Sequence, residues 1–149
     1  MELRLINRHD LELLLAWRRL LPINTTKGDQ APTWEEHLAW YGDRDGNSDF
    51  GRADFVIIHD DHRVGTVAAN LHHDGPWISI NIAEPDLQRT GIATAACNEV
   101  LGHLRSEGWD RCLAEIHTDN MPSQSFFSKL GFVFESESGD WQVWNLPLN

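Results

Sequence analysis

The chain has 149 residues, 41% of them hydrophobic, and a formal charge of −11 at pH 7 from 12 lysines and arginines against 23 acids. That balance argues against non-specific binding to nucleic acid or to an anionic membrane, both of which attract a basic face. The length fits one folded unit over residues 1–149, and no run approaches the ~18 apolar residues of a membrane span.

The start, Met1-Glu2-Leu3-Arg4-Leu5, lacks the basic and apolar regions of a secretory signal, so a cytoplasmic location is expected. Cys97 and Cys112 have no metal-ligand spacing and read as buried, reduced thiols; no metal site is expected. Nothing in the pattern fixes the oligomeric state, and a homodimer is compatible with it.

In chain order, weak alternation over residues 2–6 predicts a first strand. Leu11, Leu14, Leu15, Trp17 and Leu20-Leu21 predict a helix ended by Pro22. Residues 22–32 read as a loop. Thr33-Trp34-Glu35-Glu36 has the form of a capping box, and the helix it opens carries Trp34, Leu38 and Tyr41 on one face, with His37 and Trp40 three residues apart. Residues 42–52 read as a polar loop.

From Asp54 the period changes to two. Phe55 to Ile58, Val64 to Leu71 and Trp77 to Ile82 predict three strands joined by the turns Asp60–Arg63 and His73–Pro76, an antiparallel meander. Ile92, Ala93, Ala96, Cys97, Val100, Leu101 and Leu104 form one stripe of a helix that stops near Gly108. A strand from Cys112 to Ile116, a short helix from Pro122 to Leu130, and strands at 132–134 and 141–146 complete the order βααβββαβαββ.

Between the third meander strand and the long helix lies Glu84-Pro85-Asp86-Leu87-Gln88-Arg89-Thr90-Gly91-Ile92-Ala93-Thr94. A strand, a turn with a glycine and a helix start together form an anion cradle. The N–H groups of a first helical turn have no partner inside the helix, and the helix dipole adds partial positive charge. Backbone amides do this whatever the net charge, and Arg89 adds a phosphate-binding side chain.

The spacing Gln88-x-x-Gly91-x-Ala93 resembles the acyl-CoA pyrophosphate loop of the GCN5-related N-acetyltransferase (GNAT) superfamily. A second stretch, Asn120-Met121-Pro122-Ser123-Gln124-Ser125-Phe126-Phe127-Ser128-Lys129-Leu130-Gly131-Phe132, resembles the superfamily's other signature. The two stand in the family's order. The likeness is clear over residues 53–135 and looser before them. It implies an α/β fold with a mixed, mostly antiparallel twisted sheet flanked by helices, and acetyl-CoA as the acyl donor.

Carried over residue by residue, the resemblance implies cofactor contacts from Ile82, Leu87, Gln88, Arg89, Thr90, Gly91, Ile92, Ala93, Thr94, Asn120, Ser123, Phe126, Phe127 and Lys129. Backbone groups of Ile80 to Ile82 would pair with the pantetheine amides as an added strand does. Leu15-Ala16-Trp17-Arg18-Arg19 with Thr33-x-x-Glu36-His37-Leu38-x-Trp40 is similar to the N-terminal helices of amino-sugar-nucleotide N-acetyltransferases, which shape an acceptor pocket.

The implied reaction is direct attack of a primary amine on the thioester. It needs a neutral amine, a donor for the developing oxyanion and stabilisation of the leaving thiolate. An alkyl amine of pKa ~10.4 is protonated at neutral pH, so a base or water relay helps. Glu115 is the first candidate, and the resemblance to ribosomal-protein N-terminal acetyltransferases supports it; an ion-paired surface glutamate is the alternative. His117, on the same strand face, is the second candidate, with a partly exposed histidine as its bland reading. Glu84 is a third, or a solvated loop residue. Asn120 either bonds the pantetheine arm or forms a turn before a helix. His37 either lines an acceptor pocket or packs on Trp40.

The chain departs from the family at Phe127, where a tyrosine commonly serves as general acid. Tyr41 is the only tyrosine. Three functions stay open: acetylation of a small amine or an amino-sugar nucleotide; acetylation of a protein N-terminus or lysine; and acyl-CoA sensing with little turnover.

Overall fold

The computed structural model describes residues 1–21, 32–42, 52–72 and 74–149. Most of the loops expected at 22–32 and 42–52, and His73 of the expected turn, lie outside those residues. The elements are β1 (Glu2–Leu5), α1 (Leu11–Leu20), α2 (Trp34–Gly42), β2 (Arg52–His59), β3 (His62–His72), β4 (Gly75–Ile82), α3 (Ile92–Ser106), β5 (Arg111–His117), α4 (Met121–Leu130), β6 (Val133–Ser138) and β7 (Trp141–Pro147). This is the expected order, in an α/β fold. The seven strands form one sheet, β1-β2-β3-β4-β5-β7-β6, antiparallel at every pairing except β4 with β5. No described helix is long and apolar enough to cross a membrane.

Alternation along the strands gives the sheet two working faces. Ile57, Val67, Ala69, Ile78, Ile82, Ala114 and Ile116 meet the α3 stripe of Ile92, Ala96, Cys97, Val100, Leu101 and Leu104, with Phe127 and Phe132 closing the core below. On the opposite face, α1 and α2 cover a smaller cluster of Ile6, Leu11, Tyr41 and Val56. The expected apolar face of α2 is rotated. Trp34 and Leu38 are exposed, while His37 and Tyr41 are buried. His37 tolerates burial because its Nε2–H donates to the Leu11 carbonyl at 2.8 Å and its ring stacks on Trp40, with centroids 5.3 Å apart. The capping box forms as expected: Thr33 N–H donates to Glu36 at 3.0 Å, and Glu36 N–H donates to the Thr33 hydroxyl at 3.2 Å.

Two strands run further than alternation alone suggests. β6 continues to Ser138, and β4 begins at Gly75, taking in Pro76. Ala83 N–H donates to the Val64 carbonyl at 2.8 Å, which fixes the ladder's alternation. The even-numbered residues of β4 then face away from β3, so a proline at 76 costs that ladder no hydrogen bond. Gly65 has a different reason. A Cβ there would lie 2.2 Å from the carbonyl oxygen of Asn81, so only glycine lets β3 and β4 approach at this point.

Asp10 is buried and tied to three elements. Arg4 of β1 grips both its oxygens at 2.9 and 3.0 Å, Arg63 of β3 donates at 3.1 Å, and the Asn7 N–H donates at 2.8 Å. Burial works to raise its pKa. The bonds from Arg4, Asn7 and Arg63, with the charge of Arg4, outweigh that and hold the carboxyl below its ordinary value. Burial also pushes both thiols, Cys97 on α3 and Cys112 on β5, up to about 12.

Candidate active site

The parallel pair β4 and β5 is in register only at Trp77 and Leu113. Past that point the strands part. The ladder's alternation aims the N–H and C=O groups of Ile80 and Ile82 into the gap rather than at β3. A cleft of about 840 Å³ follows this edge, lined by Ile78 to Ile82, Gln88, Arg89, Ala93, Glu115, Asn120, Pro122, Ser123, Phe126 and Trp141.

The chain leaving β4 is bound to its end. Gln88 Nε2 donates to the Ile82 carbonyl at 3.0 Å, Leu87 N–H donates to the Glu84 carbonyl at 3.0 Å, and the Thr90 hydroxyl donates to the Leu87 carbonyl. Arg89 and Gly91 both adopt positive φ, 65° and 93°. Gly91 is the N-cap of α3, with no side-chain cap, and the first intrahelical bond runs from Ala95 N–H to its carbonyl at 3.0 Å. The N–H groups from Gly91 to Thr94 therefore have no partner inside the helix. A Cβ at Gly91 would meet nothing within 4 Å. The space above it is open and borders first-turn N–H groups, donors of the kind that bind a diphosphate.

On the other side of β4, where Ser79 and Asn81 point, a second cavity of about 640 Å³ lies between the sheet and α1/α2. It includes Trp17, Glu36, His37, Trp40 and Asp54, and shares Arg18, Leu21, Thr66, Ser79 and Asn81 with the cleft. The two spaces thus adjoin across β4.

The residues singled out from sequence separate into groups. Ile82, Gln88, Arg89, Ala93, Glu115, Asn120, Ser123 and Phe126 converge on the cleft. Thr90, Gly91 and Thr94 are exposed at the loop and helix start. Leu87 packs against the core, and with Glu84 it borders a different concavity. The side chains of Ile92 and Phe127 are in the core, so Ile92 offers the cleft its backbone alone. Phe127 sits edge-on to both Phe126 and Phe132 at 5.2 and 5.1 Å. Lys129 is exposed on α4 and does not line the cleft.

Asn120 is the N-cap of α4, its side chain accepting from Ser123 N–H at 3.2 Å while also lining the cleft. His117 lies outside the lining. Its Nδ1 accepts from Asp119 N–H at 3.0 Å, which leaves the ring proton of the neutral form on Nε2, and its ring meets Trp141 edge-on. Tyr41, buried under α1, is absent from both linings. Arg18 belongs to the Leu15–Arg19 stretch named from sequence, whereas Asp54, Thr66, Ser79 and Asn81 carried no expectation of a site role. The polar alternation of Ser79 and Asn81 against Ile78, Ile80 and Ile82 was the available signal.

The family model of the acetyltransferase (GNAT) domain matches residues 1–133. The chain belongs to the GNAT acetyltransferases. As a GNAT acetyltransferase domain it is an acyltransferase. An uncharacterized protein of Methanocaldococcus jannaschii is 30% identical over 99% of the chain, which spans only 31% of that relative's length. A solved domain from Methanocaldococcus jannaschii superposes with a TM-score of 0.85 at 26% identity, covering 98% of this chain and 97% of the other. Spermidine N-acetyltransferase from Vibrio cholerae, solved with CoA and spermine, shares the fold at a TM-score of 0.83 and 17% identity, over 99% and 95% of the two chains.

Proposed function

We propose that this GNAT domain, spanning residues 1–149, moves an acetyl group from acetyl-CoA to a primary amine by direct attack in the cytoplasm. The observation that carries the reading is the cleft along the open edge of β4, which starts beside Gln88, Arg89 and Ala93 and adjoins the cavity under α1 and α2. The diphosphate is held by the amides of residues 89 to 94 with Arg89 beside them. The pantetheine arm lies along Ile80 and Ile82 as an added strand. Phe126 and Ser123 flank it from α4. The thioester then sits near Asn120, and the amine arrives from the Ser79 and Asn81 side.

Glu115 is the base this arrangement supports best. It is on β5, lines the cleft, and faces the same side of the sheet as Ser79 and Asn81. His117 is supported less, because its Nδ1 lone pair is taken by Asp119 N–H. Asn120 is a positioning residue whose side chain fixes the start of α4. The acceptor favoured by the cavity's size is an amine on a sizeable polar body, such as an amino-sugar nucleotide, rather than a protein lysine. Cavities of about 300–1,000 Å³ enclose a ligand of that scale.

A second reading, an acyl-CoA sensor, draws on two buried rings. Neither Phe127 nor Tyr41 offers a phenol to the cleft. A thiol is nonetheless a good leaving group, and water reaching the cleft can supply the proton. The test is thiol release from acetyl-CoA with a panel of amines and amine-bearing peptides. Release with a small amine supports the transferase, and release with peptides alone supports the protein acceptor. Calorimetric binding of CoA with no release from any amine would leave the sensor. No heat with CoA would remove every reading.

A further inference from the structure

We infer that His117 is a positioning residue for acetyl transfer, whose neutral ring sets Trp141 and Asn120 against the cleft. This rests on the acetyl-transfer reading of that cleft. His117 does not line the cleft itself, whereas Trp141, Asn120 and Glu115 do. In the ladder between β5 and β7, His117 stands opposite Trp141 and Glu115 opposite Val143. Residues opposite one another share a face, so Trp141 is the diagonal neighbour of Glu115 and walls one side of the proposed base.

His117 joins these lining groups. Its ring meets that of Trp141 edge-on, with centroids 5.2 Å apart and planes at 81°. Its Nδ1 accepts from Asp119 N–H at 3.0 Å, and its carbonyl accepts from Asn120 N–H at 2.9 Å and from the Gln124 side chain at 3.3 Å. Thr118 N–H donates to the Asp140 carbonyl at 2.8 Å, which ties the same turn to the residue before Trp141. The turn hands over to α4 at its N-cap, Asn120. A shift of the imidazole therefore moves the indole wall and the Asn120 amide together.

The bond from Asp119 N–H needs a lone pair on Nδ1, which only the neutral ring has. A proton on Nδ1 would set two N–H groups against each other. An acceptor for that proton stands 4.0 Å away, the Asp119 carboxylate, so the turn must open to reach it. The other titratable neighbours are also acids, Glu115 on the same strand face and Asp140 in the turn between β6 and β7. Only 16% of the His117 side chain is exposed, so water replaces little of the lost bonding.

The experiment uses the full chain with acetyl-CoA and three amines: glucosamine, spermine and a tetrapeptide with a free N-terminus. The amine giving the fastest thiol release is kept. His117→Asn removes the ring but retains an acceptor, since an Asn side chain reaches the N–H two residues on. His117→Phe retains a ring edge and removes the acceptor. His117→Phe should lower kcat about tenfold or more, with the amine's KM within about twofold, because Asn120 is displaced. His117→Asn should keep kcat within about threefold and raise that KM about fivefold, because Trp141 loses its buttress. Both should bind CoA within about twofold of wild type, with matching melting curves. In acid, wild-type kcat should fall faster than that of His117→Asn. In the CoA-saturated, 15N-labelled wild type, the Asp119 amide proton should shift across the imidazole range of about pH 5–8.

Equal loss of kcat in the two variants with parallel pH profiles would overturn the inference. So would an Asp119 amide that does not shift, a result that needs no variant and decides the point even if a substitution unfolds the chain. Failure of wild type to release thiol with any of the amines would remove the transfer reading itself, whereas release by wild type with both variants unchanged would remove this inference alone.

Discussion

The two proposed ends of the site are built from different materials. At the Gly91 turn, the groups on offer are main-chain ones: consecutive N–H groups, two residues at positive φ, and a glutamine that ties loop to strand. In the α1/α2 cavity they are side chains delivered by five elements, α1, α2, β2, β3 and β4. The first kind of site needs only a short, continuous segment and is insensitive to the chain's charge of −11. The second depends on how distant segments pack, and single substitutions can retune it. A cosubstrate common to a family and an acceptor that differs between members call for this division.

The sharpest way to break the comparison is Gly91→Trp. The indole would fill the cradle, and φ of 93° adds strain of about 1–2 kcal/mol for a side chain with a Cβ. CoA affinity measured by calorimetry should fall about a hundredfold or more, equivalent to roughly 2.7 kcal/mol. Retained affinity would refute a main-chain cradle at this place. Next is Glu115→Gln, which should lower kcat by about a hundredfold while leaving the CoA Kd within about twofold, as loss of a general base does. A parallel loss of CoA binding would make Glu115 a cofactor contact instead.

Asp10→Ala probes the tie between β1, β3 and the start of α1. Urea unfolding at pH 7 should show a loss of about 2–3 kcal/mol, since three donors lose a buried acceptor. The folded carboxyl's pKa lies below its unfolded value of ~3.9, so its stabilisation is complete above that value and fades as pH falls through the folded pKa. The gap between wild type and variant should therefore narrow in acid; a gap independent of pH would contradict the ion-pair account. The smallest effect is expected for Phe127→Tyr. Its ring points into the core between Phe126 and Phe132, so turnover should not rise, and stability should drop by about 1 kcal/mol for a buried hydroxyl. Faster thiol release in that variant would show that the ring reaches the sulfur.

How much of this was legible beforehand follows the same division. The order of elements, the Gly91 turn and the α3 stripe are local patterns with fixed periods, and they could be read directly. So could the capping box at Thr33. The rotation of α2 could not. Trp34, Leu38 and Tyr41 form the better apolar face by spacing alone, but His37 finds a carbonyl on α1, a partner no local window contains. Asp10 directly precedes the Leu11 helix in sequence, but its partners lie in β1 and β3. Gly65 owes its identity to the neighbouring strand, whose Asn81 carbonyl oxygen would lie 2.2 Å from a Cβ there, and no local pattern announces that. Phe127 carried a family motif, yet which of two adjacent rings turns toward the cleft depends on the phase of α4 against the sheet.

Cys97 and Cys112 lie deep between α3 and β5, with ionisation pushed to about 12. Thiols shifted in this direction stay protonated at neutral pH. Every cycle of acyl transfer liberates a sulfhydryl carrier, and oxidising surroundings turn that carrier into disulfides able to cap any nucleophilic sulfur nearby. A domain whose own sulfurs are buried and protonated presents such disulfides with a poor target.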